Sequence, residues 1–445
     1  MKILEAVKQN EKKLIEDLCG LLEIDSTCIE NPNNSEAPFG EGVRKSLDYV
    51  LELGKSFGFK VKNVNNVAGH IEFGEGEELI GVLCHTDVVP AVGKWTNPPF
   101  KPTIVDGKIY ARGAIDDKGP TIASLYALKI IKDLGLKLNK RVRLIIGTDE
   151  ETKWRCMDEY FKHEEMPTLG FSPDAIFPVI YGEKGIMSID LTSNEKSEIN
   201  FVSGVRYNVV PDEASAEVGA DIQTKFKEYL EKNNLEGKVE GNKITLYGNS
   251  AHAMQPEKGV NAAILLSQFL NNHINNNVIE FVSNKLNDTR FKRIGLDFSD
   301  PEMKDLTVNV AIVEVNNSGG KIGLNLRYPI NWDKEEFLNK LGKLAGDAGL
   351  QLEVLSDQVP HYVPEDDELV KTLHNAYKEY SKDEKTPNIT IGGGTYARAL
   401  KKGVAFGMMF PGREDVVHQV DEHVFIEDLV LATAIYAKAI YDLGK

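Results

Sequence analysis

ELIGVLC at 78–84 and RVRLIIG at 141–147 are short apolar runs rich in β-forming residues, and PTIASLYALKIIKDLG at 120–135 lies between them. The middle stretch places Ile122, Leu125, Leu128 and Ile131 three residues apart, the spacing of one helix face. Pro120 near its start and Gly135 at its end are the expected punctuation. Strands that read as continuous apolar runs, alternating with helices, predict an α/β fold whose sheet is mainly parallel and flanked by helices.

Outward from this core the texture changes near residue 186. Short alternating strands such as GIMSIDLTS, KITLYG and KIGLNLRYPI appear, separated by helical stretches such as VNAAILLSQFLNN and KEEFLNKLGKLAGDAG. This pattern predicts an α+β insertion with one solvated sheet face. After Pro364 the α/β texture returns through LVKTLHNAYKEYS, TIGGGTYARAL and GVAFGMMF. The expected organisation is one α/β domain built from residues 1–186 and 362–445, interrupted by an inserted domain at 187–361.

Composition narrows the function. The 445 residues carry 68 acidic and 52 basic side chains, a net charge of −16 that argues against a nucleic-acid partner. No window approaches the roughly 18 apolar residues of a membrane span. The N-terminus, with Ile3, Val7, Leu14 and Leu18 spaced by threes and fours, reads as an amphipathic helix rather than a secretory leader. Cys19, Cys28, Cys84 and Cys156 form no CxxC and no disulfide-like framework, so a cytoplasmic location is expected.

Five pieces carry chemistry. His85 and Asp87 stand two apart at a strand's carboxyl end and point to one face. Asp116 and Asp117 precede the helix at Pro120, where acids also favour a helix N-terminus. Thr148-Asp149-Glu150-Glu151 follows the second strand, either as a capping box or as a pair of catalytic carboxylates. Asp174 sits in a Ser-Pro-Asp turn, and His418 in GREDVVHQVDEH. Alone, each is an ordinary structural residue. Together they supply two histidines and a surplus of carboxylates, the inventory of a site for two divalent ions about 3.5–4 Å apart.

HTDVVP, GKWTNPPF, YARGAIDDKGP, GTDEET, SPDAIFPVIYGEKG, GNSAHAMQPEKGVNAA and FPGREDVVHQVDE, in that order, resemble the co-catalytic metallopeptidases of carboxypeptidase G, aminoacylase and carnosinase. The likeness spans the chain and is greatest to the bacterial dipeptidase V, or Xaa-His dipeptidase, branch. It implies a zinc-peptidase-like catalytic domain with an enlarged lid. It also implies two divalent ions, zinc first with manganese or cobalt as alternatives. By position, His85, Asp116 and Asp174 would hold one ion and Asp116, Glu151 and His418 the other. Asp87 would orient His85, Glu150 would be the general base, and the Asp116–Asp117 peptide would be cis.

The resemblance further implies that His252 stabilises the tetrahedral intermediate and that Arg327 and Asn208 bind the substrate. Gly394 and Thr395 would make backbone contacts with it. GGGT itself lacks the GK[ST] of a phosphate loop. The expected activity is hydrolysis of dipeptides with a free N-terminus, with N-acyl-amino-acid deacylation as the alternative. A lid this large implies a monomer with His252 acting within its own chain, and closure over the substrate. One departure stands out. The branch usually carries a glycine where Lys153 stands: a left-handed backbone there would strain the glutamate turn, whereas an exposed Lys153 would be harmless.

Overall fold

Leu79–His85 forms the strand expected from 78–84, and all seven residues are buried. In the computed structural model, which describes residues 2–445, it pairs in parallel with Arg141–Gly147 on one side and Leu169–Ser172 on the other. Gly403–Ala405 continues the parallel order beside Leu169–Ser172. The margin differs: Lys60–Val64 and Ala68–Phe73 add antiparallel to Arg141–Gly147 as a hairpin. The parallel reading therefore describes the four central strands, where apolar runs mark burial on both faces.

Helices Ile3–Leu22, Lys118–Asp133 and Ile426–Gly444 pack on one another, and Lys118–Asp133 also packs on Leu79–His85. Ile122, Leu125, Leu128 and Ile131 are fully buried. Each such side chain stabilises the fold by roughly 1.5–3 kcal/mol over its exposed state. The start of Lys118–Asp133 is anchored from within: buried Lys118 donates from Nζ to the carbonyls of Ile24 (2.6 Å) and Leu21 (3.3 Å). This pins the loop before the helix, which carries Asp116, to the end of Ile3–Leu22.

The residues up to Tyr181, Val363–Ile389 and Gly394–Lys445 form one compact unit, and Gly182–Tyr362 with Thr390–Gly393 forms a second. The second unit is built on an antiparallel eight-stranded sheet whose long central hairpin is Thr307–Asn316 and Gly319–Tyr328. In Gly185–Ser193, alternate residues are buried, as a strand with one covered face requires. Met187, Ile189, Leu191, Phe201 and Leu324 form its core with side chains from Ala262–Leu270, Asn277–Lys285 and Lys334–Asp347. The outer strand Gln351–Gln358 is almost wholly exposed. Among the described residues, no helix is long and apolar enough to cross a membrane.

Candidate metal centre

His85 closes its strand fully buried, and its main-chain amide donates to Asp117 Oδ2 at 3.0 Å. Its ring Nδ1 lies 3.0 Å from the Asp87 carbonyl oxygen and 3.4 Å from Asp87 Oδ1. The hydrogen bond that orients the ring thus comes from the Asp87 main chain, with the carboxylate beside it. The other ring nitrogen, Nε2, lies 3.1 Å from Asp116 Oδ1 and 3.6 Å from Asp174 Oδ2. It is buried and hydrogen-bonded to neither.

Asp116 ends the loop before Lys118–Asp133, and the Asp116–Asp117 peptide is cis. Asp174 follows the neighbouring strand Leu169–Ser172. Glu150 and Glu151 follow Arg141–Gly147, in a turn organised by buried Asp149. The Asp149 carboxylate accepts from Arg155 N (3.0 Å), Nε (2.8 Å) and Nη2 (2.7 Å) and from the Thr152 hydroxyl. The capping-box reading of Thr148 and Glu151 is corrected here. The helix begins only at Arg155, and the Thr148 hydroxyl donates instead to the Val67 carbonyl. Of the two outcomes open at Lys153, the structure shows the exposed, unstrained one. Trp154 takes the left-handed conformation (φ 59°), while exposed Lys153 reaches Glu30 at 3.1 Å.

His418 arrives from the far end of the chain. Its Nε2 lies 2.9 Å from Asp116 Oδ2 and 3.0 Å from Glu151 Oε1. Two donor groups result, His85 with Asp116 and Asp174, and Asp116 with Glu151 and His418, each with ligand atoms within 4.8 Å of one another. Burial pushes the Glu150 carboxyl well above the usual range, with the Asp174, Glu151 and Asp116 charges adding to it and His85 opposing. Burial, then Asp116, pushes Glu151 up to about 7. Asp116 is held low, because His418 and His85 outweigh its burial. His418 is raised to about 11 by its contacts with Asp116 and Glu151. So many buried and half-buried carboxylates facing two imidazoles, with His85 Nε2 aimed among them unbonded, fit a divalent cation in each group.

The remaining candidates belong to neither donor group. His252, Arg327 and Asn208 belong to the second unit. His252 pairs through its backbone with Val209, next to Asn208, and its Nδ1 accepts from Met254 N at 3.1 Å. Its pKa is lowered by burial and by Arg327. Buried Arg327 donates to Asn325 Oδ1 and to the Gly392 carbonyl, both at 2.9 Å. Thr395 uses its hydroxyl locally, accepting from Ala397 N as cap of a short 3-10 turn, and a side chain at neighbouring Gly394 would crowd Arg398. Sequence reading missed Asp149, Arg112 and Glu422. The latter two stand four residues from Asp116 and His418, a proximity that gives the only local signal.

Two groups of candidate cation donors sharing one carboxylate, at the carboxyl edge of the parallel strands and with a further glutamate alongside, match what a metal-dependent hydrolase requires. The chain belongs to the peptidase family M20/M25/M40, whose model matches residues 81–442. A Bacillus subtilis protein named "Putative dipeptidase YtjP" is 45% identical over 99% of both chains. A Staphylococcus epidermidis protein of the same description is 43% identical over 99% of this chain and 98% of its own. The fold is shared with aminoacylhistidine dipeptidase from Vibrio alginolyticus (TM-score 0.60, 14% identity, 97% of this chain and 96% of that one). It is shared also with human carnosine dipeptidase 1 (TM-score 0.58, 14% identity, 100% and 98%).

Proposed function

We propose that this protein is a dipeptidase that hydrolyses short peptides with a free amino terminus, assisted by two divalent ions. The observation that carries the reading is Asp116, whose Oδ1 lies 3.1 Å from His85 Nε2 and whose Oδ2 lies 2.9 Å from His418 Nε2. One carboxylate turned both ways is what a pair of ions requires of its bridging ligand. His85, Asp116 and Asp174 would hold one ion, and Asp116, Glu151 and His418 the other. Zinc suits this nitrogen and carboxylate set, as manganese and cobalt do. The relatives named as dipeptidases support the substrate class.

Bound there, the ions would supply Lewis acidity, bringing the pKa of a water down toward about 7 and polarising the scissile carbonyl. Glu150 takes the proton from the attacking water and returns it to the leaving nitrogen as the peptide C–N bond breaks. It is the glutamate of the cluster that belongs to neither donor group, and so is left to hold that proton between the two steps. Asp87 keeps the His85 ring in place from behind. His252 donates to the carbonyl oxygen as negative charge develops there. Arg327 takes the peptide carboxylate with its planar fork, and Asn208 and the main chain at Gly394 and Thr395 complete the contacts. The second unit serves as the lid, and its size supports a monomer with His252 acting within its own chain. The four free cysteines support a cytoplasmic setting.

The test is a panel of dipeptides beside N-acetyl and N-succinyl amino acids, offered to metal-free enzyme reloaded with zinc, manganese or cobalt. Metal-dependent cleavage confined to free-amine dipeptides is expected. Cleavage of the acylated compounds alone would overturn the substrate assignment and leave a deacylase.

A further inference from the structure

Arg112 and Glu422 form an ion pair, Nη1 to Oε2 at 2.5 Å, with side chains 1% and 0% exposed. Each partner also reaches main chain beside a proposed ligand. Glu422 Oε1 accepts from the amides of Ile115 (3.0 Å) and Asp116 (3.3 Å). Arg112 Nη2 donates to the carbonyl of His418 at 3.3 Å. His418 holds φ at 62°, in the left-handed region that residues with a Cβ seldom occupy. Arg112 is itself fixed. Its amide donates to the Pro99 carbonyl at 2.9 Å and its guanidinium lies 5.1 Å from the Trp95 ring centre.

A buried ion pair is weak evidence for stability, because desolvation offsets its attraction. Here its geometry has a better explanation. We propose that Arg112 is a positioning residue for the second ion: with Glu422 it sets the spacing between Asp116 and His418, two donors from opposite ends of the chain. The proposal rests on the reading of Asp116, Glu151 and His418 as ligands. The fork is essential to it, since two guanidinium nitrogens face two acceptors at once and a lysine ammonium is a single point. Of the donors this pair touches, Asp116 serves both ions and His418 the second alone, and Arg112 itself reaches only His418, so loss of the fork should fall on the second ion first.

The experiment titrates the full, metal-free chain with Co2+, following visible absorption and counting bound metal by mass spectrometry. The unsubstituted chain and His418→Ala are the references, expected to hold two ions and one. Arg112→Lys is expected to bind the first ion normally and the second about 10- to 100-fold more weakly, with excess Co2+ restoring it. Glu422→Gln, which keeps an oxygen for the two amides but removes the counter-charge, is expected to show the same selective loss. Circular dichroism and the retained first ion report the fold. Both ions held normally in the two variants, or both lost together, would overturn the proposal. An unsubstituted chain that holds fewer than two ions, or a His418→Ala chain that holds two, would instead overturn the ligand reading.

Discussion

The main-chain amide of Glu151 donates to the Asp87 carboxylate at 3.1 Å, so one buried aspartate ties the glutamate turn to the strand end that carries His85. The same carboxylate lies 3.4 Å from the His85 ring. Asp87→Ala would release both connections. We expect a metal affinity about 10- to 100-fold lower, read by competition with a chelating dye. An unchanged affinity would show that the Asp87 carbonyl alone orients the ring.

Glu150 lies among the donor groups without belonging to either. Glu150→Gln preserves its shape and removes the base. The expected variant holds its full metal complement while kcat falls by about 100- to 10,000-fold and KM changes little. Metal analysis and steady-state kinetics on one preparation separate this from ligand loss.

Lys153→Gly is expected to be nearly silent. The left-handed residue of the turn is Trp154, and Lys153 is exposed with only a Glu30 contact. Stability by urea unfolding should stay within about 0.5 kcal/mol, with turnover unchanged. A marked gain in either would show that the turn is strained at 153 after all.

His70 provides a pH signature away from the centre. Its Nδ1 lies 2.9 Å from the Tyr160 hydroxyl. Burial, then the Arg143 charge, lowers its pKa to about 4, with Glu164 and Glu72 opposing and Lys62 adding. In the unfolded chain the ring titrates near 6.5. Between these values the unfolded state binds more protons, so stability is full above pH 6.5 and falls as pH drops toward 4. The shift corresponds to at most about 3 kcal/mol. Unfolding of the parent chain and His70→Gln at several pH values should show that slope reduced in the variant.

What could be read in advance follows from how far each signal travels along the chain. His85 and Asp87 were legible because strand period puts residues two apart on one face, and the strand itself was plain from its apolar run. Asp116 was visible as an acid before a helix, but nothing local distinguished it from an ordinary one. His418 came only through the family motif. The Thr148–Glu151 pattern left two readings open, and the structure closes the capping box because a tertiary partner, the Val67 carbonyl, takes the hydroxyl that a cap would have used. Arg112 and Glu422, 310 residues apart, pair through topology that no periodicity records.

The order of the donors along the chain has a consequence for biosynthesis. His85, Asp116 and Asp174 all precede the second unit, whereas His418 follows it, as does the strand Gly403–Ala405 that pairs with Leu169–Ser172. Helix Ile426–Gly444 packs against Ile3–Leu22, which is made long before it. A growing chain therefore cannot complete its sheet or its second donor group until the second unit has been made and Gly403–Ala405 and His418 have followed it. A chain halted before His418 would hold the donors of the first group and lack one of the second.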